Sequence, residues 1–104
     1  MQPSEKQKKY LRGLAHGRDP VVLLGARSAS GSGVSAAAVD EMEVALRAHE
    51  LVKVRARVGG RDERDALLAN LAERTGSTLV QRIGNVGVFY RPHKDKPRII
   101  LPAD

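Results

Sequence analysis

The chain contains no cysteine and no tryptophan, and its aromatic residues are two tyrosines and one phenylalanine. The absence of cysteine excludes disulfides, thiolate nucleophiles and cysteine-based metal sites, and it is typical of a reducing compartment. The scarcity of aromatic rings argues against a binding surface built mainly on stacked bases. No apolar run approaches the roughly 20 residues of a membrane span, and the polar, basic N-terminus lacks the apolar segment of a signal peptide. We therefore expect a cytoplasmic protein without membrane contact.

Positive charge is what the sequence has in excess. Its 104 residues include 18 Lys and Arg against 12 Asp and Glu, a net charge of +6, and 41% of the residues are hydrophobic. This length corresponds to one domain with a modest core. We predict a single domain over 1–104, with a core at about 4–92 and a tail at 93–104. A positive balance favours polyanionic partners through attraction and counterion release, without indicating which polyanion.

The spacing of apolar residues predicts the element order α-β-α-β-α-β-β. The predicted elements are a helix from a Ser4 cap to about His16, a strand at 21–24, a helix capped by Ser35, a strand at 51–58, a helix capped by Asp62 and ended by Gly76, and strands at 78–83 and 86–90 joined by a Gly84-Asn85 turn. Since strand 21–24 is continuously apolar, it is expected to be buried on both faces or central in its sheet.

These elements predict a small α/β fold with a four-stranded mixed sheet. Two β-α-β crossovers imply parallel strands that are neighbours or near-neighbours, and the final hairpin adds an antiparallel pair. The segment Ile99-Ile100-Leu101 at the end of the polar tail is apolar enough to dock back on the core.

The sequence offers little to an enzyme. The Gly-rich segment Gly25–Gly33 lies between a strand and a helix, where phosphate-binding loops lie, but it matches neither the Walker pattern nor the dinucleotide pattern, because position 36 is Ala36 and no Lys-Ser/Thr follows. The histidines His16, His49 and His93 fall on different elements without neighbours at metal-ligand spacing. No serine lies in a G-x-S-x-G elbow. We expect no catalysis, no cofactor and no metal; the alternative is a small enzyme that uses the loop for a nucleotide.

Three cations share one side of the predicted strand 51–58, namely Lys53, Arg55 and Arg57. Alternate side chains of a strand stand about 6.6 Å apart, roughly the phosphate spacing of a single nucleic-acid strand. The first helix adds four cations: Lys6, Lys8, Lys9 and Arg12. A solvated face usually mixes charges of both signs, whereas this face of the strand carries only cations. The pattern favours a nucleic-acid surface, and the alternative is an ordinary solvated face.

Two further features, the Gly-rich loop and the Tyr90-Arg91 pair, each allow two interpretations. A loop poor in side chains lets backbone N–H groups approach phosphates, as the GXXG loop of KH domains does, and the alternative is a flexible connector. Tyr90 beside Arg91 is the one candidate for base stacking, and the alternative is a strand aromatic packed in the core.

A series of segments carries a family resemblance. They are Lys6-Gln7-Lys8, Leu11–His16, Pro20–Gly25, Glu41–Leu46, His49–Arg55, Arg74-Thr75-Gly76, Ile83-Gly84, Tyr90-Arg91-Pro92 and Ile100-Leu101-Pro102. Taken in this order, they resemble bacterial YhbY-type proteins, which are stand-alone CRM (CRS1-YhbY) domains, over nearly the whole chain. The resemblance implies an α/β fold similar to the C-terminal domain of translation initiation factor three. It also implies association with precursors of the large ribosomal subunit; related domains in plant organelles act in group II intron splicing.

The chain departs from this family in one loop. The family has a short GXXG loop between its first strand and the next helix, as the proposed RNA contact. Here the segment between Gly25 and Gly33 is several residues longer. Either Ser30-Gly31-Ser32-Gly33 stands in for GXXG, with Ser30 in place of the first glycine, or the insertion reshapes the contact, and Arg27 within the insertion would compensate. The family's basic residue before Pro20 is replaced by Asp19, with Arg18 adjacent.

We therefore predict a monomeric RNA-binding protein that associates with ribosomal RNA or the pre-50S particle and acts in ribosome assembly. Its cations would neutralise phosphates, and its loop glycines would admit the RNA backbone. The predicted RNA-binding residues are Lys8, Arg12, His16, Arg18, Arg27, Gly31, Gly33, Lys53, Arg55, Arg57, Tyr90 and Arg91. The alternative is a protein–protein adaptor on the ribosome that uses the same basic surface.

Overall fold

A computed structural model describes residues 2–30 and 33–103 of the chain. The elements in chain order are α1 (Glu5–His16), β1 (Val22–Leu24), a 3₁₀ turn (Ala26–Ser28), β2 (Ala29–Ser30), β3 (Gly33–Val34), α2 (Ala36–His49), β4 (Leu51–Ala56), α3 (Arg61–Thr75), β5 (Thr78–Ile83) and β6 (Val86–Tyr90). This is the predicted α/β order, with a turn and a two-stranded ladder added inside the Gly-rich segment.

The helix ends follow local capping chemistry. The Ser4 hydroxyl accepts the backbone N–H of Gln7, and the Gln7 side chain accepts the backbone N–H of Ser4, which closes a capping box at the start of α1. Ser35 caps α2 in the predicted way. Gly76 ends α3 at φ +64°, the left-handed conformation that glycine adopts without a steric cost.

The start of α3 differs from the prediction. Gly60, in extended conformation, is the N-cap, and the helix begins at Arg61. Asp62 therefore lies in the first turn, where its carboxylate faces the positive end of the helix dipole without capping a backbone group.

The main sheet has four strands in the order β1-β4-β6-β5. β1 pairs with β4 in parallel, while β4–β6 and β5–β6 are antiparallel. β4 and β5 thus run parallel as near-neighbours, as the two crossovers predict. Gly84, at φ +57°, begins the two-residue turn of the β5–β6 hairpin, which confirms the predicted position of glycine.

The prediction that strand β1 is central or buried on both faces is wrong. β1 is an edge strand that pairs with β4, and its three residues alternate between buried and exposed. Val22 and Leu24 pack beneath the helices α2 and α3, whereas Leu23 is 59% exposed. The reason is that α1 and the tail pack on the other face over β4, β5 and β6, and leave the β1 edge uncovered.

Apolar residues fill both sides of the sheet. The larger cluster joins α2 and α3 to one face and is centred on Met42, Leu68 and Phe89. The smaller cluster joins α1 to the other face through Leu11, Ala15, Leu51, Val80, Val88 and Tyr90. Ile99 and Leu101 of the tail pack against this smaller cluster, which confirms the docking of the tail, whereas Ile100 is exposed.

A buried carboxylate secures that tail. Glu50 is the C-cap of α2 at φ +59°, and its side chain is fully buried. It accepts the backbone N–H groups of His93, Arg98 and Ile99 at 2.6, 2.8 and 2.8 Å. Burial alone raises the pKa of Glu50, but these backbone donors outweigh it and hold the pKa below its ordinary value.

Candidate nucleic-acid interface

A groove runs between α1 and the part of the sheet that α1 leaves open. Its volume is about 540 Å³. The lining residues are Lys9, Arg12, Gly13, Ala15, His16, Lys53, Gln81, Ile83, Val86 and Val88. Cations form one wall and aliphatic side chains form the floor, and within the described residues no carboxylate lines the groove.

The cationic wall comes from a single stripe of α1. Lys9, Arg12 and His16 are spaced i, i+3 and i+7, so they project from one side of the helix. Arg12 and His16 were predicted from the sequence. Lys9 was not among the predicted site residues, although this helical spacing could have identified it.

Lys53 has a structural role at the end of this groove. Its ammonium donates to the backbone carbonyls of Ala15 and Arg18 at 3.1 and 2.9 Å. These carbonyls belong to the end of α1 and the turn after it, so the cation compensates the negative end of the helix dipole. Lys53 thus fixes α1 to β4 and also adds positive charge to the groove.

Two other predicted cations extend this face. Arg55 is paired in register with Val86 of β6 and with Leu23 of β1, and its Nε is buried without a hydrogen-bond partner in the described part of the chain. Arg57 follows β4 and is exposed. Among residues 2–30 and 33–103, neither arginine forms a salt bridge, so no acidic side chain offsets their charge there.

A second cleft adjoins the groove at the β1 edge. Arg18 lies there beside His49 and Arg98, together with Asp19. Arg18 donates to the carbonyl of Leu51 at 3.2 Å, which holds its guanidinium against the sheet. His49 and Arg98 were not predicted, because no sequence pattern connects the end of α2 with the tail.

Lys8, a predicted RNA-binding residue, is not among the residues that line these two clefts, and it has a local partner. Its ammonium is 3.7 Å from the carboxylate of Glu5, one turn earlier on α1. The Glu5 side chain is 87% exposed, so this pair is screened by water and contributes little to stability. The charge of Lys8 is therefore partly offset.

Gly33, at the end of the Gly-rich segment, and the following Val34 lie against α3. The backbone N–H of Val34 donates to the Asn70 side chain at 2.9 Å, and Arg74 donates to the Val34 carbonyl at 2.6 Å. A Cβ on Gly33 would lie 2.6 Å from that Asn70 oxygen. The missing side chain of Gly33 therefore makes room for α3 and does not open the loop to an RNA backbone. Arg27 is exposed on the 3₁₀ turn, and Gly31 lies outside the described residues.

The predicted pair Tyr90 and Arg91 lies outside the groove. Tyr90 is 3% exposed in the smaller core cluster, so its ring offers no face to a base, and the alternative of a core aromatic holds. Burial, and then the charge of Glu50, raises the pKa of Tyr90. Arg91 donates to the Glu43 carboxylate at 2.9 Å and to the Thr75 carbonyl at 2.8 Å. Its hydrogen bond holds the pKa of Glu43 below the ordinary value.

Residues 2–30 and 33–103 contain no cluster of three or more side chains suited to holding a metal ion. No helix in these ranges is both long and apolar enough to span a membrane.

The fold and the groove together define a class of protein. It is a small α/β domain with one basic, partly apolar sheet face, a charge pattern typical of domains that bind polyanions. The model of the CRS1 / YhbY (CRM) domain family matches residues 4–91, and the chain belongs to this family.

Curated relatives agree with this assignment. The chain is 38% identical to the RNA-binding protein of Haemophilus influenzae over 99 residues, which cover 95% of this chain and 94% of the relative. It is 35% identical to the probable RNA-binding protein PA4753 of Pseudomonas aeruginosa over 88 residues, 85% of this chain and 80% of the relative. The probable RNA-binding protein YqeI of Bacillus subtilis is 33% identical, with 93% and 96% covered.

A solved structure has the same fold. The solution structure of the hypothetical protein SAV1595 from Staphylococcus aureus superposes with a TM-score of 0.78 at 36% sequence identity. The match covers 97% of this chain and all of that one.

Proposed function

We propose that this protein binds RNA, and that it associates with ribosomal RNA or precursors of the large ribosomal subunit in the cytoplasm, as a monomer that assists ribosome assembly without catalysing a reaction. The observation that carries the proposal is the groove face: Lys9, Arg12 and His16 line the groove, Arg55 lies in the sheet row of Val86, and Arg57 is exposed just after β4. The names of the curated relatives support RNA as the polyanion.

Phosphate binding follows from how these cations are held. Arg12 and His16 stand on a helix that is packed through Leu11 and Ala15, and Arg55 stands on the central strand β4. A rigid base of this kind presents charge without first having to order a loop. Each neutralised phosphate releases condensed counterions, so affinity falls steeply with salt.

Selectivity is expected to come from RNA shape and not from stacking on aromatic rings. The one phenylalanine, Phe89, is fully buried, and Tyr90 is almost so. The third aromatic residue, Tyr10, is 43% exposed. A surface with so few rings cannot form the multi-base stacking platform of an RRM.

Binding to naked large-subunit ribosomal RNA fragments, measured across a salt series, tests the proposal. We expect measurable affinity at low salt, and a slope of log affinity against log salt of about −0.7 to −0.9 for each phosphate contacted. Small-subunit RNA fragments of equal length serve as the control for preference. Absence of RNA binding at low salt, with retained binding to assembled precursor particles, would support the adaptor alternative instead.

A further inference from the structure

The groove face contains three aliphatic side chains, in one row with Arg55, that phosphate binding does not use. Val86 pairs with Arg55 on one side and with Ile83 on the other, and Arg55 pairs with Leu23. Paired residues project to the same face of a sheet, so these four side chains form one row across it. Leu23 is 59% exposed and Ile83 is 66% exposed, although both are large aliphatic residues.

The next row of the sheet continues this floor under α1. Lys53 pairs with Val88, and Val88 pairs with Gln81. The Gln81 amide supplies one donor group and one acceptor group beside the aliphatic floor. The groove therefore has a cationic wall, an apolar floor and one neutral polar group that can bond in either direction.

Gly13 keeps the helical side of this groove open. It lies in the middle of α1 and lines the groove, and a Cβ built on it meets no atom within 4 Å. Glycine in a helix interior is unfavourable relative to alanine. Since packing does not require glycine here, what its missing side chain provides is space above the apolar floor.

We propose that this groove accepts one unpaired nucleotide of the bound RNA, an inference that rests on the proposed RNA-binding function. The base lies over Val86 and Ile83, its edge reaches Gln81, and its phosphates meet Lys9 and Arg12. A base has apolar faces and a polar edge, and a nucleotide carries negative charge on one side, so it matches the three parts of the groove. The volume of about 540 Å³ lies within the range typical of small-ligand sites, roughly 300–1,000 Å³.

The charge pattern favours a nucleotide over an apolar protein segment. Three basic residues of α1 and Lys53 surround the floor, and in the described part of the chain no carboxylate lies among them. The occupant must therefore bring negative charge within a short distance of a flat apolar surface. A fully paired helix cannot do so, because its bases are stacked inside and inaccessible from an A-form major groove.

Filling the groove from the helix side tests the inference. Gly13→Leu introduces a better helix former whose side chain enters the open space. Ala66→Leu is the matched control, because Ala66 is an exposed residue of α3, the helix on the other face of the sheet. Binding of the full chain is measured with two RNA hairpins that differ only in one unpaired nucleotide.

We expect the wild type and Ala66→Leu to favour the hairpin with the unpaired nucleotide by about tenfold, which corresponds to about 1.4 kcal/mol. Gly13→Leu should abolish this preference and retain affinity for the paired hairpin. Equal binding of both hairpins by the wild type, or a preference unchanged by Gly13→Leu, would overturn the inference while RNA binding stands. Failure to bind either hairpin at low salt would instead contradict the proposed function itself.

A second pair of variants probes the floor. Ile83→Ser removes an exposed aliphatic residue from the row, and Val44→Ser removes one of matching exposure, 67%, from α2. We expect the first to reduce the preference for the unpaired nucleotide several-fold and the second to leave it unchanged. If an acidic amphipathic peptide binds the wild type tightly and Ile83→Ser abolishes that binding without changing the RNA preference, the occupant is a protein and the inference is wrong.

Discussion

The buried carboxylate of Glu50 accepts the backbone N–H of His93 at 2.6 Å, across 43 positions of the chain. With the bonds from Arg98 and Ile99, this contact fixes the tail to the end of α2. Ile99 and Leu101 can then cover the smaller core cluster beside α1. The position of α1, and with it the groove, thus depends in part on one ionised side chain at the other end of the sheet face.

Replacing this carboxylate should destabilise the fold. Glu50→Gln exchanges an acceptor-only group for one that presents N–H groups to three backbone donors, and we expect a loss of about 2–3 kcal/mol in the free energy of unfolding at neutral pH. Chemical denaturation measures it. Glu41→Gln, at an exposed position of the same helix, is the control and should change stability by less than about 0.5 kcal/mol.

The same carboxylate predicts a dependence on pH. Because the pKa of Glu50 is lower in the folded state than its ordinary value of 4.5, its contribution is complete above that value and is lost as pH falls through the folded pKa. The stability difference between wild type and Glu50→Gln should therefore shrink in acid. A difference that stays constant from neutral pH to acid would show that ionisation of Glu50 does not matter.

Lys53 and Arg57 should separate folding from binding. Lys53→Met keeps the aliphatic stem but removes the ammonium that bonds to Ala15 and Arg18, so we expect a stability loss of about 1–2 kcal/mol together with weaker RNA binding. Arg57→Met should weaken RNA binding with little change in stability, because Arg57 is exposed. Thermal melting and an RNA titration of each variant distinguish the two roles. Equal stability of the two variants would contradict the anchoring role of Lys53.

Arg91 should behave in the opposite way to Arg57. Its guanidinium bonds to Glu43 and to the Thr75 carbonyl, so Arg91→Met should cost about 2 kcal/mol of stability. We expect its RNA affinity to remain that of the wild type under conditions where the variant is folded. A loss of affinity as large as that of Arg57→Met would place Arg91 in the interface after all.

Two glycines should respond with opposite signs. Gly87 lies in β6, and a Cβ there would lie 3.0 Å from Phe89, 3.2 Å from Leu79 and 3.3 Å from Leu68. Gly87→Val should therefore overpack the core and cost about 1–3 kcal/mol. Gly13→Ala meets open space in a helix and should stabilise the protein by about 0.5–1 kcal/mol. Denaturation curves that show the same sign for both would contradict this description of the packing.

Much of the fold could be predicted because its signals are local. The Ser4 and Ser35 caps, the Gly76 terminator and the Gly84-Asn85 turn depend on residues within one turn of chain, and the structure has them where predicted. The edge position of β1 is different. Continuous apolar character indicates burial, but which face a helix covers depends on packing between distant elements.

The site was harder to predict for the same reason. Alternation placed Lys53 and Arg55 on one face, yet it could not show that Lys53 bonds to the end of α1. A single sequence does not distinguish a surface tyrosine from a core tyrosine. The sequence therefore leaves both base stacking and core packing open for Tyr90. Val86 and Ile83 form an apolar floor because the register of β5 and β6 pairs them, and this register is not evident from the sequence.

The central claim is that the face of the sheet covered in part by α1 is the RNA-binding surface. It is tested most directly by salt-dependent RNA binding of Arg12→Gln/Arg57→Gln, compared with Arg47→Gln/Arg61→Gln, which removes the same charge from exposed positions on α2 and α3. We predict that the first variant loses about 0.7–0.9 of slope for each phosphate contact removed, and that the second keeps the wild-type slope. Equal slopes for the two double variants would contradict the assignment of RNA binding to this face.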